Sequence, residues 1–316
     1  MANTNLLVAL VLLVQLAAAK LTAAEPFDKD HDPFRSPNFK IAPVSPRAAA
    51  SFLRRVSRFG LPTTDNLKLS ENYVLAYDRR LKQPAFVMEH LSDKQMRIVK
   101  GDRNSSFFTE DSEVHEYFRA TNDDYMETEY DRGHMSPASD NKVSQRVMDQ
   151  SFSLSNIVAQ LPGLNRGAWV RLERYVQHSA ARSKNIYIVT GPLYLPKLVD
   201  GKWRVEYEVI GANKIGVPTH FYKVWVREDH NKRLHLEAFL LPNSHQVTRD
   251  SMLEQFRFDV DKLDEIERAS GLIFFPKLDR SKLLKPTKLQ CGYVDEKVLF
   301  KADLEAAKEA AVAAPA

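Results

Sequence analysis

The chain has 316 residues, of which 44% are hydrophobic and 27% are charged, and its formal net charge is +4. This is an ordinary globular composition with ample apolar material for a core, and the mild basic charge suits a polyanionic partner without identifying one. The single cysteine, Cys291, excludes an intramolecular disulfide and a cysteine-based zinc cluster.

The N-terminal segment is apolar over residues 6–19, with Gln15 as the exception. This run is shorter than the about 20 residues that a transmembrane helix needs, and it resembles the hydrophobic part of a signal peptide. No lysine or arginine precedes it, however. We therefore expect residues 1–24 to be a hydrophobic leader or anchor, and a cleaved signal, a membrane anchor and an organellar leader all stay open.

Residues 25–62 are rich in proline, aspartate and arginine, and they are predicted to be a linker with one short helix around residues 48–59. The folded domain is predicted to span residues 63–285. Residues 286–316 form a C-terminal tail, in which the alanine, glutamate and lysine composition of residues 304–313 favours a helix.

Within the folded domain, two short apolar runs at residues 72–77 and 85–90 flank a charged turn and predict a hairpin. Further runs rich in valine, isoleucine, tyrosine and phenylalanine predict strands at residues 186–190, 205–210, 221–226 and 234–241. Helical patterns lie at residues 144–152, 168–179 and 260–269, the last of them ended by Gly271. This order of elements indicates an α+β fold with a central, mostly antiparallel sheet.

The run from Asp131 to Met135 carries the first chemical signal. His134 has an unperturbed pKa near neutrality, so it can take and return a proton at pH 7. Gly133 before it allows a sharp turn or a close approach to a substrate. By itself the run is also compatible with a charged strand end followed by a loop.

Three motifs follow His134 in order: SFSLSN with Asn156, LNRGAW with Asn165, and LERY with Glu173. Together with FRATNDDY upstream and GPLYLP, VPTHFYKV and ASGLIFFP downstream, this set resembles the DNA/RNA non-specific endonucleases of the ββα-metal class over residues 60–280. Within that family the likeness is to mitochondrial endonuclease G and its exonuclease-type relative. The resemblance implies a ββα-metal nuclease fold, with helices flanking the sheet, that hydrolyses phosphodiester bonds in DNA and RNA.

Phosphodiester hydrolysis needs a base for water and a cation for the developing charge. His134 is the candidate base, and the amide oxygen of Asn165 is a hard ligand suited to Mg²⁺. The resemblance implies that Asn165 is the direct metal ligand, with Mn²⁺ as a substitute ion. In a continuous helix, Glu173 would lie about 12 Å along the axis from Asn165, which is too far for both residues to bind one ion directly. The resemblance implies that Glu173 acts through water; taken alone, it would pair at the surface with Arg171 or Arg174.

The remaining site predictions come from the resemblance. It implies that Asn156 orients the histidine and the phosphate, although a strand-end turn is the plainer interpretation of that residue. It implies that Arg103 steadies the phosphate, and Arg119 or Arg132 are alternatives as substrate-binding residues. Asp131 and Arg132 are expected to support the site as an orienting carboxylate and an ion pair.

Other functions stay open at this stage: a non-catalytic nucleic-acid-binding protein on a nuclease fold, and a phosphodiesterase for small nucleotides. Residues 135–142 resemble the exonuclease-type relative, but that relative has a longer C-terminal extension. For this reason 5′-exonuclease activity is an alternative to endonuclease activity.

The resemblance also implies a homodimer in the mitochondrion, in the intermembrane space or at the inner membrane, with membrane association through residues 6–19. Secretion is the alternative localisation.

Overall fold

The structure is a computed structural model, and it describes residues 39–284. The predicted leader, most of the N-terminal half of the linker, the C-terminal tail and Cys291 lie outside the described residues. Among those that are described, no helix is both long enough and apolar enough to cross a bilayer.

The helices are α1 (Pro46–Val56), α2 (Asp93–Met96), α3 (Gln145–Ser151), α4 (Val170–Ala181) and α5 (Leu263–Ser270), and a π-helical turn (Leu164–Trp169) leads into α4. The strands are β1 (Leu67–Leu69), β2 (Tyr73–Asp78), β3 (Gln83–Leu91), β4 (Asp131–His134), β5 (Ile157–Gln160), β6 (Asn185–Leu193), β7 (Lys197–Val199), β8 (Lys202–Arg204), β9 (Val209–Ile210), β10 (Ile215–Gly216), β11 (His220–Glu228), β12 (Leu234–Pro242), β13 (Arg257–Phe258) and β14 (Leu283–Leu284).

A central sheet organises these elements in the order β1–β2–β3–β6–β11–β12–β13, and β14 also pairs with β12. Every neighbouring pair is antiparallel except β12 with β14. The inner strands are buried on both faces, so their sequences form nearly continuous apolar runs instead of alternating with polar residues. The predicted α+β fold with a mostly antiparallel sheet is confirmed.

Each face of the sheet has its own apolar core. On one face, α1 and α5 bury Phe52, Val56 and Ile266 against the sheet. On the other face, Trp169 and the α4 residue Leu172 are buried in a core shared with β5. Burying one such large side chain stabilises the fold by about 1.5–3 kcal/mol. Helix α1 lies inside the predicted linker, so part of that segment packs into the domain; the domain boundaries stay predictions.

Most predicted elements are present. The hairpin forms as β2 and β3, and the three helical patterns form α3, α4 and α5, with Gly271 ending α5 at φ 70°. The strand predicted over residues 205–210 is wrong for most of its length, because only Val209–Ile210 pairs, with β10. Residues 202–204 instead pair with β7 in an exposed hairpin. The alternating apolar residues that predicted the strand have no sheet face to pack on there: Val205 is 52% exposed.

Candidate active site

The predicted catalytic run lies in a two-stranded ribbon followed by a helix. Strands β4 and β5 pair antiparallel, with His134 opposite Ile157 and Asp131 opposite Gln160. The chain then passes through the π-helical turn into α4. Because side chains alternate along a strand, His134 and Asp131 leave opposite faces of the ribbon. The sequence motifs thus become one ββα unit on the sheet.

Gly133 has a role that the sequence did not reveal. It lies in strand β4, so of the two possibilities raised for this glycine there is no sharp turn, and close approach to a substrate stays a prediction. A Cβ added there would lie 2.1 Å from Oε1 of Gln160, because the Gln160 side chain crosses over this position. Gln160 is fully buried, and within residues 39–284 its amide atoms have no hydrogen-bond partner. The glycine therefore makes room for a buried polar side chain.

His134 lies in an aromatic cleft between Phe152 and Phe108, with ring centroids 4.7 and 5.2 Å away. The residue is 7% exposed, and in the described part of the chain its Nε2 has no hydrogen-bond partner. Burial, then the positive charges of Arg103 and Arg132, lower the pKa of His134 to about 3. The imidazole is therefore neutral at pH 7, which is the protonation state that a general base needs.

Asn165 is oriented by a neighbouring carboxylate. Its Nδ2 donates to Oδ2 of Asp131 at 2.9 Å, and Arg166 donates to the same oxygen at 2.8 Å. Since a carboxylate only accepts hydrogen bonds, the amide nitrogen of Asn165 has to face Asp131. The carbonyl oxygen of Asn165 therefore points to the other side and is left as a ligand.

The turn that carries Asn165 is separate from helix α4. Gly167 breaks the helix with φ −117° and ψ −108°, so the rise assumed for a continuous helix does not apply between Asn165 and Glu173. Two glycines also let a distant part of the backbone come close to this turn. A Cβ at Gly163 would lie 2.6 Å from the Val247 carbonyl oxygen, and a Cβ at Gly167 would lie 2.9 Å from Cα of Arg249. This segment, residues 247–251, braces the turn.

Glu173 lies half-buried in the first turn of α4. Burial raises the pKa of Glu173 to about 7, and the charge of Asp140 adds to the increase. The positive charges of Lys223 and Arg103 act in the opposite direction. The positive charge of Arg103 thus acts on both His134 and Glu173.

The residues fit a magnesium ion better than a transition metal. No group of three or more histidine, cysteine, aspartate or glutamate side chains in residues 39–284 is arranged to hold a metal. Mg²⁺ keeps several waters and needs few protein ligands, which are hard oxygens. The amide oxygen of Asn165, oriented by the hydrogen bond from its nitrogen to Asp131, is a donor of this kind.

Asn156 is fully buried and its amide is used within the protein. Its Oδ1 accepts from the Ser136 backbone N–H at 2.9 Å, and its Nδ2 donates to the Ser136 and Ser151 carbonyls at 2.9 and 2.8 Å. Its own carbonyl accepts from Met135 N–H at 3.0 Å. Asn156 thus fixes the backbone immediately after His134, and its role in orienting the histidine and the phosphate stays a prediction.

The three predicted arginines have different surroundings. Arg103 is exposed, and its guanidinium lies 5.5 Å from the Phe152 ring centroid, beside the histidine cleft. Arg132 lies 4.4 Å from the Phe108 ring centroid and donates to Asn122 at 2.7 Å. Arg119 donates to backbone carbonyls at residues 112 and 114, which makes it a loop anchor outside this cluster.

Sequence reasoning missed the polar residues beneath the site. Lys223 and Glu89 are 1% and 0% exposed, in the central strands β11 and β3. A signal for them was available, because each is a charged residue inside an apolar run, FYKVWV and FVMEHL. A buried charge of this kind normally has a structural or functional reason.

Comparisons with known proteins agree with this geometry. The sequence model of the DNA/RNA non-specific endonuclease family matches residues 54–281. The chain is 42% identical over 224 residues to human "Endonuclease G, mitochondrial", covering 71% of this chain and 74% of that protein. It is 39% identical over 274 residues to "Nuclease EXOG, mitochondrial" of Xenopus laevis, covering 85% of this chain and 72% of that protein.

The "Mitochondrial nuclease" of Saccharomyces cerevisiae is 39% identical over 235 residues, covering 71% of this chain and 70% of that protein. In structure, a crystal structure of the EndoG/EndoGI complex matches with a TM-score of 0.71 at 39% identity, covering 74% of this chain and 95% of that chain. The chain belongs to the DNA/RNA non-specific endonuclease family.

Proposed function

We propose that this nuclease hydrolyses phosphodiester bonds with His134 as the general base and with a Mg²⁺ ion held by Asn165. The observation that carries the proposal is the buried imidazole of His134: its Nε2 has no hydrogen-bond partner in residues 39–284, and both the imidazole and the exposed guanidinium of Arg103 lie against the Phe152 ring. A phosphate that binds to Arg103 would lie beside His134.

In this mechanism, the unprotonated nitrogen of His134 takes a proton from a water molecule as the water oxygen bonds to phosphorus. The bond from phosphorus to the 3′ oxygen breaks, and that oxygen takes a proton from solvent. Arg103 holds the phosphate through charge, and the exposed position of its guanidinium allows a nucleic acid to reach it. Asn165 would hold the ion through its oxygen, which Asp131 keeps in place, and Glu173 would accept hydrogen bonds from the water around the ion. The ion, for which Mn²⁺ is a substitute, supplies positive charge to the phosphate oxygens.

Family membership favours an enzyme over a non-catalytic binding protein, and it identifies nucleic acid as the substrate class. The names of the relatives support a mitochondrial localisation, as predicted from the resemblance. The homodimer, the submitochondrial location and any association through residues 6–19 remain proposals. Relatives named as endonuclease G and as nuclease EXOG match at similar identity, so internal cleavage and 5′-end trimming are separate candidate activities.

A cleavage assay on circular and linear DNA tests the proposal. With Mg²⁺ present, we expect the wild-type protein to cut circular plasmid. Because a circle has no ends for a 5′-exonuclease, this cleavage would identify internal cutting. His134→Ala is expected to lose about 10²–10⁴-fold in rate. His230→Ala, at an exposed turn, is the matched control and should cleave normally. Wild-type cleavage by His134→Ala would refute the assignment of the base.

A further inference from the structure

Arg103 lies in an exposed loop that runs beside helix α3. The backbone N–H groups of residues 100 and 101 both donate to the carbonyl of Lys142, just before that helix, at 2.8 and 3.0 Å. Arg103 then begins a short 3₁₀ turn, Arg103–Ser105, which is capped by the carboxylate of Asp102. The backbone of Arg103 is therefore held in place although its side chain is exposed.

The side-chain amide of Gln145, the first residue of α3, holds the start of this turn. Its Oε1 accepts from the Asp102 N–H at 2.8 Å, and its Nε2 donates to the Asp102 carbonyl at 3.1 Å. Nε2 also donates to Oγ of Ser106 at 3.0 Å, and the Ser106 hydroxyl donates to Oδ1 of Asp149 at 2.6 Å. Gln145 and Asp149 are four residues apart, so the residues on both sides of the turn are tied to one face of α3.

The same helix supports the histidine cleft. Phe152 directly follows α3 and is 1% exposed, and its ring centroid lies 4.7 Å from that of His134 and 5.5 Å from the guanidinium carbon of Arg103. Met148, one turn earlier, is buried in the same core as Phe152 and anchors the helix. No hydrogen bond or ion pair within residues 39–284 holds the guanidinium itself. Its position beside His134 therefore depends on the Phe152 ring and on the backbone that α3 holds.

We propose that Gln145 is a positioning residue for Arg103: its amide holds the Arg103 loop on α3, so that the guanidinium stays beside His134 and meets the phosphate there. This inference rests on the proposed role of Arg103 in holding the phosphate. An arginine side chain has many rotamers, and a fixed backbone reduces the number of positions that its charge can occupy. An error of about 1 Å in the position of a group at the reacting centre can cost about 10²-fold in rate. Loss of the amide should therefore be visible in catalysis.

A double-mutant cycle between Gln145 and Arg103 tests this proposal. Gln145→Met keeps the length and the helix propensity of the side chain but removes its amide. With Mg²⁺ and a duplex oligonucleotide as substrate, we expect kcat/KM to fall about 10–100-fold in Gln145→Met and at least as much in Arg103→Met. In the double variant, Gln145→Met should have little further effect, because the side chain that it positions is absent. Gln255→Met, at an exposed glutamine outside this loop, is the control and should keep the wild-type rate.

Binding to nucleic acid gives a second readout that does not depend on cleavage. In EDTA, fluorescence anisotropy measures the affinity for the same duplex over a series of salt concentrations. Each phosphate contact contributes about 0.9 to the slope of log affinity against log salt concentration on duplex DNA. We expect Arg103→Met to make this slope shallower by about 0.9, and Gln145→Met to change it in the same direction. Gln255→Met should leave the slope unchanged.

If urea unfolding shows that Gln145→Met does not fold, Ser106→Ala takes its place. It removes the tie at the other end of the turn, and we expect a smaller loss of kcat/KM that disappears in the Arg103→Met background. An equal loss from Gln145→Met with and without Arg103, or an unchanged salt slope in Gln145→Met, would overturn the positioning role and leave the nuclease mechanism intact. Wild-type activity of Arg103→Met would refute the role of Arg103 and this inference with it. Failure of the base assignment would instead appear in His134→Ala.

Discussion

The orientation of Asn165 makes a sharp prediction about Asp131. In the wild type, the Asp131 carboxylate accepts from Asn165 Nδ2, so the Asn165 oxygen points away from Asp131 and is available to the proposed ion. Asp131→Asn preserves size but introduces an amide that can donate. The two amides can then pair with Asn165 reversed, which places its nitrogen where the ion needs an oxygen. We therefore expect Asp131→Asn to weaken metal binding while His134 and its cleft stay unchanged.

The magnitude follows from the bond that is lost. A hydrogen bond to a charged group contributes about 1.5–3 kcal/mol, and each 1.4 kcal/mol is about tenfold in an equilibrium constant. Loss of a group that orients a metal ligand typically costs about 10–100-fold in metal affinity. The two estimates agree, so we expect the Mg²⁺ concentration for half-maximal cleavage to increase about 10–100-fold.

The assay is plasmid cleavage over a Mg²⁺ titration, with calorimetric titration of Mn²⁺ as a measure of affinity without turnover. Arg166→Met is the matched control, because it removes the other partner of Asp131 but keeps the hydrogen bond to Asn165. The Arg166 side chain is 59% exposed, so losing this ion pair should cost about 1 kcal/mol or less. An unchanged metal midpoint in Asp131→Asn, or an equal effect of Arg166→Met, would refute the reasoning.

Three further predictions concern stability, each measured by urea unfolding. Gly133→Ala should destabilise the fold by about 1–3 kcal/mol through overpacking against Gln160, and Gln160→Ala should relieve most of that cost in the double variant; additive effects would contradict the packing argument. Glu89 has its pKa raised from 4.5 to about 8, so it binds a proton on folding and stability falls as pH rises through this window; Glu89→Gln should flatten this dependence, and an unaltered pH slope would count against it. Arg58→Met should cost about 3–5 kcal/mol if Glu228, whose side chain is 4% exposed, keeps its charge without the guanidinium; a change below about 1 kcal/mol would show that the pair is solvated.

The sequence predicted the elements that local patterns specify. The β2–β3 hairpin, helices α3 to α5 and the αL glycine after α5 depend on apolar periodicity and turn chemistry, which are properties of short segments. The strand predicted at residues 205–210 failed because alternation indicates a strand only where a sheet offers a face to cover, and none does so at Val205.

The sequence motifs named the candidate site residues but did not show the side chains that support them. The motifs brought forward His134 and Asn165, whereas the contact of Gln160 with Gly133 depends on the register between β4 and β5. The charge of Lys223 acts on carboxyl groups of β3, the turn after β4 and α4, and sequence spacing does not show those neighbours. The hydrogen bonds of the Arg119 guanidinium to the backbone carbonyls of residues 112 and 114 are likewise invisible in the sequence, and its role in substrate binding stays a prediction.

The brace at residues 247–251 makes the Asn165 turn depend on a segment that is synthesised late. Arg171 donates to the carbonyls of Arg249 and Ser251, and Gly163 and Gly167 give this late segment room beside the Asn165 turn. The predicted catalytic residues, by contrast, have all been synthesised once the chain reaches Glu173. A nascent chain of that length therefore contains each of them but not the segment that braces the turn, which is complete only after residue 251 has been added.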